Sequence, residues 1–312
     1  MSADRDLLSD NPKLAAHCQG PAPGPLLVAI GQMHGNEPAG TAAVRRVAGM
    51  LERPGFLRRG TFAGLIGNSA AVGAGVRFVR QDLNRLWRPD NVERLLRSPF
   101  EKLHEDEREL VKILQTLGEL RDSCPPGTPL VVIDLHTTSA GGGAFALASD
   151  DPWAAELADV LGVPVVHGML AHLEGTSMAY FTGERFPPRT AALAFEAGQH
   201  DEPASVERGT AAILRLMRAL EMVAENGSGD RPGQSVNEVP RHLGLVYRHP
   251  VGTSDGFSMR PGYANFGPVK KGEPLADDRH GPVLCPADGF ILMPLYQKQG
   301  SDGFFVLRPI GD

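Results

Sequence analysis

The sequence predicts an α/β fold, with helices on both faces of a sheet and a small β-rich region at its C-terminal end. Three observations predict it. Short apolar runs alternate with helix-period segments over roughly the first 225 residues. The main runs lead directly into polar clusters, as strands do where a ligand site lies beyond their carboxyl ends. After Glu225 the helix period disappears, and short strand candidates separated by Gly and Pro take over.

The first run, Leu26 to Ile30, reads as a strand buried on both faces. It stops at Gly31, and Pro38 sits where a helix can begin without losing a needed donor. Ala39 to Leu51 supplies that helix, and Thr61 to Ile66 a second strand ending at Gly67-Asn68. Residues 92 to 121 are charged with recurring leucines, the pattern of an exposed amphipathic helical region. Leu130 to Ile133 is a third strand that ends at Asp134 and His136. Phe145 to Ala148 and Val163 to Val166 are further strands, with a helix over Pro152 to Leu161 between them. Ala191 to Phe195 is a strand leading into Glu196. Asp201 and Pro203 then open a helix whose apolar stripe is Val206, Ile213, Leu216, Met217, Leu220 and Val223. Asn226 to Gly233 reads as a linker. The expected division is therefore a larger α/β domain over 1–230 and a β-rich domain over 231–312. The second domain holds strand candidates at Leu243 to Tyr247, Pro282 to Cys285, Phe290 to Pro294 and Phe304 to Leu307.

Charge and cysteine content narrow the function classes. A net charge of −6 argues against a non-specific grip on nucleic acid or anionic membrane. No apolar run reaches membrane-spanning length. The N-terminus, with Asp4, Arg5, Asp6 and Asp10, lacks the basic-then-apolar plan of a signal peptide. Cys18, Cys124 and Cys285 are far apart and odd in number, which argues against a disulfide framework or a thiolate metal site. A cytoplasmic protein with idle thiols is the expectation.

The chemistry concentrates in five segments, in the order Gln32-Met33-His34-Gly35-Asn36-Glu37, Arg77, Asp82-Leu83-Asn84-Arg85, Asp134-Leu135-His136 and Phe195-Glu196-Ala197-Gly198. His34 and Glu37 are three residues apart, a spacing that brings both side chains to one side of a tight turn. With His136 they form two imidazoles and one carboxylate, a donor set that holds one zinc and leaves a position open for water. Gly35 would let backbone approach a ligand. Asp82 and Asp134 are candidates to hydrogen-bond the ligating rings from behind. Asn84 and Arg85 set an amide beside a guanidinium fork suited to a carboxylate. Arg77 is a fixed cation able to stabilise an oxyanion, and Glu196 a carboxylate able to move protons. Each alone has a blander reading: a surface pair, a core histidine, a solvated basic face of Arg77, Arg80, Arg85 and Arg88, a strand-end glutamate. His104, His167, His172, His200, His242, His249 and His280 lack any supporting pattern, with His200 the nearest to Glu196.

Taken together, His34-Gly35-Asn36-Glu37, Arg77-Phe78-Val79, Asp82-Leu83-Asn84-Arg85, Asp134-Leu135-His136-Thr137-Thr138-Ser139 and Glu196-Ala197-Gly198 closely resemble the succinylglutamate desuccinylase/aspartoacylase family, relatives of the zinc carboxypeptidases. Val269 to Leu275 and Pro286 to Gly289 look like that family's barrel-like tail. The resemblance implies a carboxypeptidase-like three-layer α/β/α core and one zinc per chain, held by His34, Glu37 and His136. It implies Glu196 as general base and acid, Arg77 on the reacting carbonyl, and Asn84 with Arg85 on the substrate carboxylate. The implied substrate is a small acidic N-acyl amino acid, cleaved at an amide or an ester. The alternatives are a zinc carboxypeptidase acting on peptide C-termini and a catalytically silent metal- or ligand-binding protein. A β tail capping the site favours small substrates over polypeptides. Arg80 stands where an acidic residue is common in the family. Tyr180, Arg185, Arg189 and Tyr263 are candidates for holding the acyl group or the amino-acid side chain.

Overall fold

The computed structural model describes residues 11–224 and 239–311. The expected linker over 226–233, the boundary near residue 230 and the charged N-terminal residues Asp4 to Asp10 lie outside the described residues. Strands are β1 (Leu14–Gln19), β2 (Ala22–Gly31), β3 (Arg59–Ile66), β4 (Leu130–Thr138), β5 (Phe145–Ala148), β6 (Val165–His167) and β7 (Thr190–Gln199). They continue with β8 (His242–Pro250), β9 (Ser258–Met259), β10 (Pro268–Val269), β11 (Pro274–Asp278), β12 (Gly281–Leu284), β13 (Gly289–Leu292) and β14 (Asp302–Pro309). Helices are α1 (Ala39–Leu51), α2 (Ser69–Ala74), α3 (Pro89–Arg97), α4 (Glu105–Asp122), α5 (Pro152–Val160), α6 (Ser177–Tyr180) and α7 (Pro203–Ala219).

One eleven-stranded sheet runs β1-β3-β2-β4-β7-β5-β6-β8-β14-β13-β10, and β12-β11-β9 form a separate three-stranded sheet. The strands β3, β2, β4 and β7 are parallel to one another, while β1 and β5 run antiparallel to β3 and β7. Alternation along the central strands sends Leu27, Ala29, Val131, Ile133 and Leu193 to one face, under α1, α5 and α7. Leu26, Val28, Ile30, Val132 and Ala192 go to the other, under α3 and α4. This is the expected three-layer arrangement. Chain order reverses around β2, with β3 on one side and β4 on the other. The crevice beyond the carboxyl ends of β2 and β4 is thus a topological switch point, the usual ligand position of such sheets.

The structure departs from the sequence expectation in particular places. The third strand does not end before Asp134. It runs on to Thr138, because β7 keeps pairing with it through His136↔Glu196. Asp134, His136 and Glu196 are therefore strand residues rather than loop residues. The helical region after residue 92 is two α-helices, broken where Pro99 removes an amide donor. The last large helix stops at Ala219, and Glu221 turns with φ 55°, so Val223 joins the core by bridging Leu57 instead of extending the helical stripe. β1, β9, β10 and β11 had no counterpart in the sequence reading. The main sheet also crosses into the C-terminal region, because β8 pairs in parallel with β6. Among the described residues no helix is long and apolar enough to cross a membrane.

Candidate metal centre and active site

Beyond β2 the chain turns sharply at Gln32, which adopts φ 56°, and carries His34 and Glu37 back over the sheet's edge. Gly35 is required there for packing: a Cβ would lie 2.3 Å from the Ala71 carbonyl carbon of α2. Its backbone packs closely against that helix. His136 comes from β4, and its neighbour across the strand pair is Glu196 of β7. Paired residues on adjacent strands project to the same face, so both side chains reach the space in front of His34 and Glu37.

Glu37 is the hub. Its Oε1 is 2.8 Å from His34 Nδ1 and 3.0 Å from Arg77 Nη1. Its Oε2 is 3.0 Å from His136 Nδ1 and accepts from the Thr137 amide at 3.2 Å. The other nitrogen of each ring faces a second carboxylate: His34 Nε2 lies 3.0 Å from Asp82 Oδ1, and His136 Nε2 lies 3.2 Å from Asp134 Oδ2. Asp134 in turn accepts from the Ser177 hydroxyl at 2.6 Å. All three residues of the His-Glu-His set are buried, and their donor atoms lie within 4.8 Å of one another.

Charge balance follows from this packing. Burial opposes ionisation of Glu37, but the two histidine rings hold its carboxyl well below the ordinary range. Asp82 is likewise held low, by His34 and Arg77 against the effect of burial. Burial pulls the His136 ring down, and Asp134 and Glu37 outweigh it, so the ring titrates well above its ordinary value. Glu196 is the exception. Burial pushes it up to about 7 against the attraction of His136, and the nearby Glu37 charge adds to the rise. Its Oε2 is buried and has no hydrogen-bond partner among the described residues. A lone buried carboxylate oxygen beside a donor set is unusual enough to need a reason.

Arg77 spans Glu37 and Asp82, its Nη2 3.4 Å from Asp82 Oδ2. The segment between Arg77 and Asp82 is fixed by Asp106, which is buried in the first turn of α4. Asp106 accepts from the amides of Val79, Arg80 and Gln81 at 3.1, 2.8 and 3.0 Å and from Asn68 Nδ2 at 2.7 Å. Asn84 Oδ1 accepts from the Ser177 amide at 2.9 Å, which leaves its NH2 group as a donor. Arg85 Nη2 lies 3.3 Å from Asp302 Oδ2.

A cavity of about 100 Å³ opens here, lined by His34, Arg77, Asn84, Arg85, His136 and Glu196 among others. The structure thus gathers His34, Glu37, Arg77, Asn84, Arg85, His136 and Glu196 at one place, with Asp82 and Asp134 behind the rings. The C-terminal region closes the far side. Asn36 and His200 both meet Gln297, at 3.0 and 3.3 Å, and the Arg77 amide donates to Gln299 Oε1 at 3.1 Å. Gly142 makes that closure possible, since a Cβ there would meet the Asn265 carbonyl oxygen at 2.4 Å.

Sequence reasoning missed Ser177, Asp106, Gln297 and Asp302. None lies in a short spacing with the motif residues, and the only signal for the last two was a polar turn before the final strand. The four candidates for holding the acyl group or side chain lie elsewhere. Arg185 sits over the Tyr180 ring, Arg189 over Trp153, and the Tyr263 hydroxyl donates to Glu273. None of the four lines the cavity. Arg80 points away, pairing with Glu105 at an exposed position. His104 caps α4, and His167 meets His242.

The model of the succinylglutamate desuccinylase/aspartoacylase catalytic domain matches residues 23–220. The chain belongs to this family. A probable aspartoacylase from Nostoc sp. is 30% identical over 131 residues, a match spanning 41% of this chain and 40% of that relative's length. Among solved structures, a succinylglutamate desuccinylase/aspartoacylase from Rhodobacter sphaeroides superposes with a TM-score of 0.67 at 17% identity, covering 95% of this chain and 88% of that one. The ectoine utilization protein from Ruegeria pomeroyi gives 0.64 at 16% identity, covering 93% and 87%. Succinylglutamate desuccinylase from Vibrio parahaemolyticus gives 0.61 at 17%, covering 91% and 81%. At these identities the structural likeness is one of fold. It extends through the β-rich C-terminal region, beyond the residues that the family's catalytic-domain model matches.

Proposed function

We propose that this chain is a zinc-dependent hydrolase that cleaves the amide bond of a small N-acyl amino acid. The observation that carries the reading is the unpartnered, buried Glu196 Oε2 beside the convergent donors of His34, Glu37 and His136. The donor set fits zinc. Contacts of about 2.0–2.2 Å set tetrahedral donors roughly 3.4 Å apart, so donors already within 4.8 Å of one another need only small side-chain adjustments. Two imidazoles and a carboxylate also leave a coordination position free. Zinc held there would supply Lewis acidity to the scissile carbonyl and the attacking water.

The chain's own groups would do the rest. Glu196, raised toward neutrality by burial, takes the proton of the attacking water and returns it to the departing nitrogen. Arg77, fixed by Glu37 and Asp82, offers positive charge to the oxyanion that develops. Asn84 Nδ2 and Arg85 receive the substrate carboxylate. The loop through Gln297 narrows access, which favours a small substrate over a polypeptide.

The test is elemental analysis of the purified chain together with a panel of N-acyl amino acids, their esters and peptides. Stoichiometric zinc and turnover of N-acyl amino acids in preference to peptides is the expected result. Preferential release of C-terminal residues from peptides would favour a carboxypeptidase. Bound zinc with no turnover across the panel would leave a silent binding protein.

A further inference from the structure

We infer that the substrate's carboxylate-bearing half carries an apolar side chain, so that the preferred substrate is an N-acyl derivative of an aliphatic or thioether amino acid. This rests on the hydrolase reading above. In the cavity that Asn84 and Arg85 line, an apolar wall comes from Leu147, Met169, Leu170, Leu173, Met178 and Phe305, while Thr138, Thr176 and Gln297 are among the polar groups that complete the lining. Most of these lie on the 169–178 segment, which is tied to the proposed carboxylate clamp itself. The Ser177 amide donates to Asn84 Oδ1 at 2.9 Å, and the Trp87 amide donates to the Gly175 carbonyl at 3.0 Å. A substrate carboxylate held by Asn84 and Arg85 therefore directs the adjoining side chain onto this wall.

Charge accounting excludes an acidic side chain. Among the described residues the guanidinium groups lining the cavity are Arg77 and Arg85, and no lysine lines it. Arg77 is engaged by Glu37 and Asp82. Arg85 is shared with Asp302, which also pairs with Arg248 at 2.5 Å, so this cluster of two guanidinium groups and one carboxylate leaves one positive charge, enough for a single substrate carboxylate. A second substrate carboxylate would meet aliphatic and thioether groups with no cation left to pair it, an expensive burial. An apolar side chain meets complementary surface, and the two methionines at 169 and 178 can adapt to branched or straight chains.

The experiment is isothermal titration of zinc-loaded Glu196→Gln protein, which should bind without turning over, with N-acetylmethionine and with N-acetylaspartate. At least about tenfold tighter binding of N-acetylmethionine is expected. Leu173→Arg, added to the same protein, should shrink or reverse that preference by giving a second carboxylate its missing partner. Equal binding, tighter N-acetylaspartate binding or no binding of either ligand overturns the inference. Hydrolysis of both compounds by the zinc-loaded wild type is measured separately. Turnover that favours acetylaspartate sinks the apolar preference and leaves the hydrolase reading intact, whereas binding of acetylmethionine with no turnover of any N-acyl amino acid sinks the hydrolase reading instead.

Discussion

His136 and Glu196 stand directly opposite each other where β4 and β7 pair, one bonded to Glu37 and the other with a buried oxygen that has no hydrogen-bond partner among the described residues. Replacing Glu196 by Gln preserves shape and removes the proton acceptor. The expected outcome is unchanged zinc content and a kcat lower by about 10²–10⁴-fold. Elemental analysis and steady-state kinetics on one preparation check it, and near-normal turnover would remove Glu196 from the chemistry.

Asp82 and Asp134 hold the far nitrogens of the two histidine rings. Changing either to Ala should weaken zinc binding by about 10–100-fold, since a freed ring loses its orientation and some basicity. Competition against a chromophoric chelator reads the affinity directly. Unaltered affinity would mean that the rings are held by packing alone.

Zinc removal should lower the melting temperature. A ligand that binds only the folded chain adds about 2.7 kcal/mol at a hundredfold excess over its dissociation constant. For a chain of this size that amounts to several degrees. Scanning fluorimetry with chelator, then with zinc restored, measures it. A melting point indifferent to both treatments would argue that no preformed donor set exists.

Asp106 collects three backbone amides and the Asn68 side chain without touching the cavity. Burial would raise its carboxyl, but the amides of Gln81, Arg80 and Val79 and the Asn68 side chain hold it below its ordinary value. A carboxyl depressed on folding stabilises above its unfolded value, near 3.8. That contribution is lost as pH falls through the lower, folded value. Asp106→Ala should cost about 2–4 kcal/mol in urea unfolding at neutral pH, because it leaves several buried donors unpaired. The stability gap between wild type and variant should narrow in acid. A gap independent of pH would show that the carboxylate's charge is immaterial.

Asn265 bridges the two ends of the closure, donating to Thr138 Oγ1 at 3.0 Å and accepting from the Met293 amide at 2.7 Å. Asn265→Ala should loosen the segment that carries Gln297 and raise KM several-fold with a smaller change in kcat. A fall confined to kcat would place the effect on the chemical step instead.

The legible part of this protein was the part encoded locally. Buried strands announce themselves as apolar runs, and His34 with Glu37 sit three apart for a geometric reason. His136 and Glu196 each follow such a run, so their meeting could be expected from the strand-end rule alone. The strand limits were less legible, because β4 persists past Asp134 only through pairing with β7, a partner some sixty residues away. Ser177, Asp106 and Asp302 were invisible for a similar reason: each acts through a hydrogen bond or ion pair to a residue at least 25 positions distant. The apolar wall was unreadable because Leu147, Leu173 and Phe305 look like ordinary core residues in one dimension.

β8 takes its place by lying against β6 in the main sheet. Cutting the chain before residue 240 would strip β6 of that neighbour and leave its amides and carbonyls facing water. A raw edge of this kind recruits other strands, so a shortened protein should come out of the cell clumped, whatever the fate of His34, Glu37 and His136.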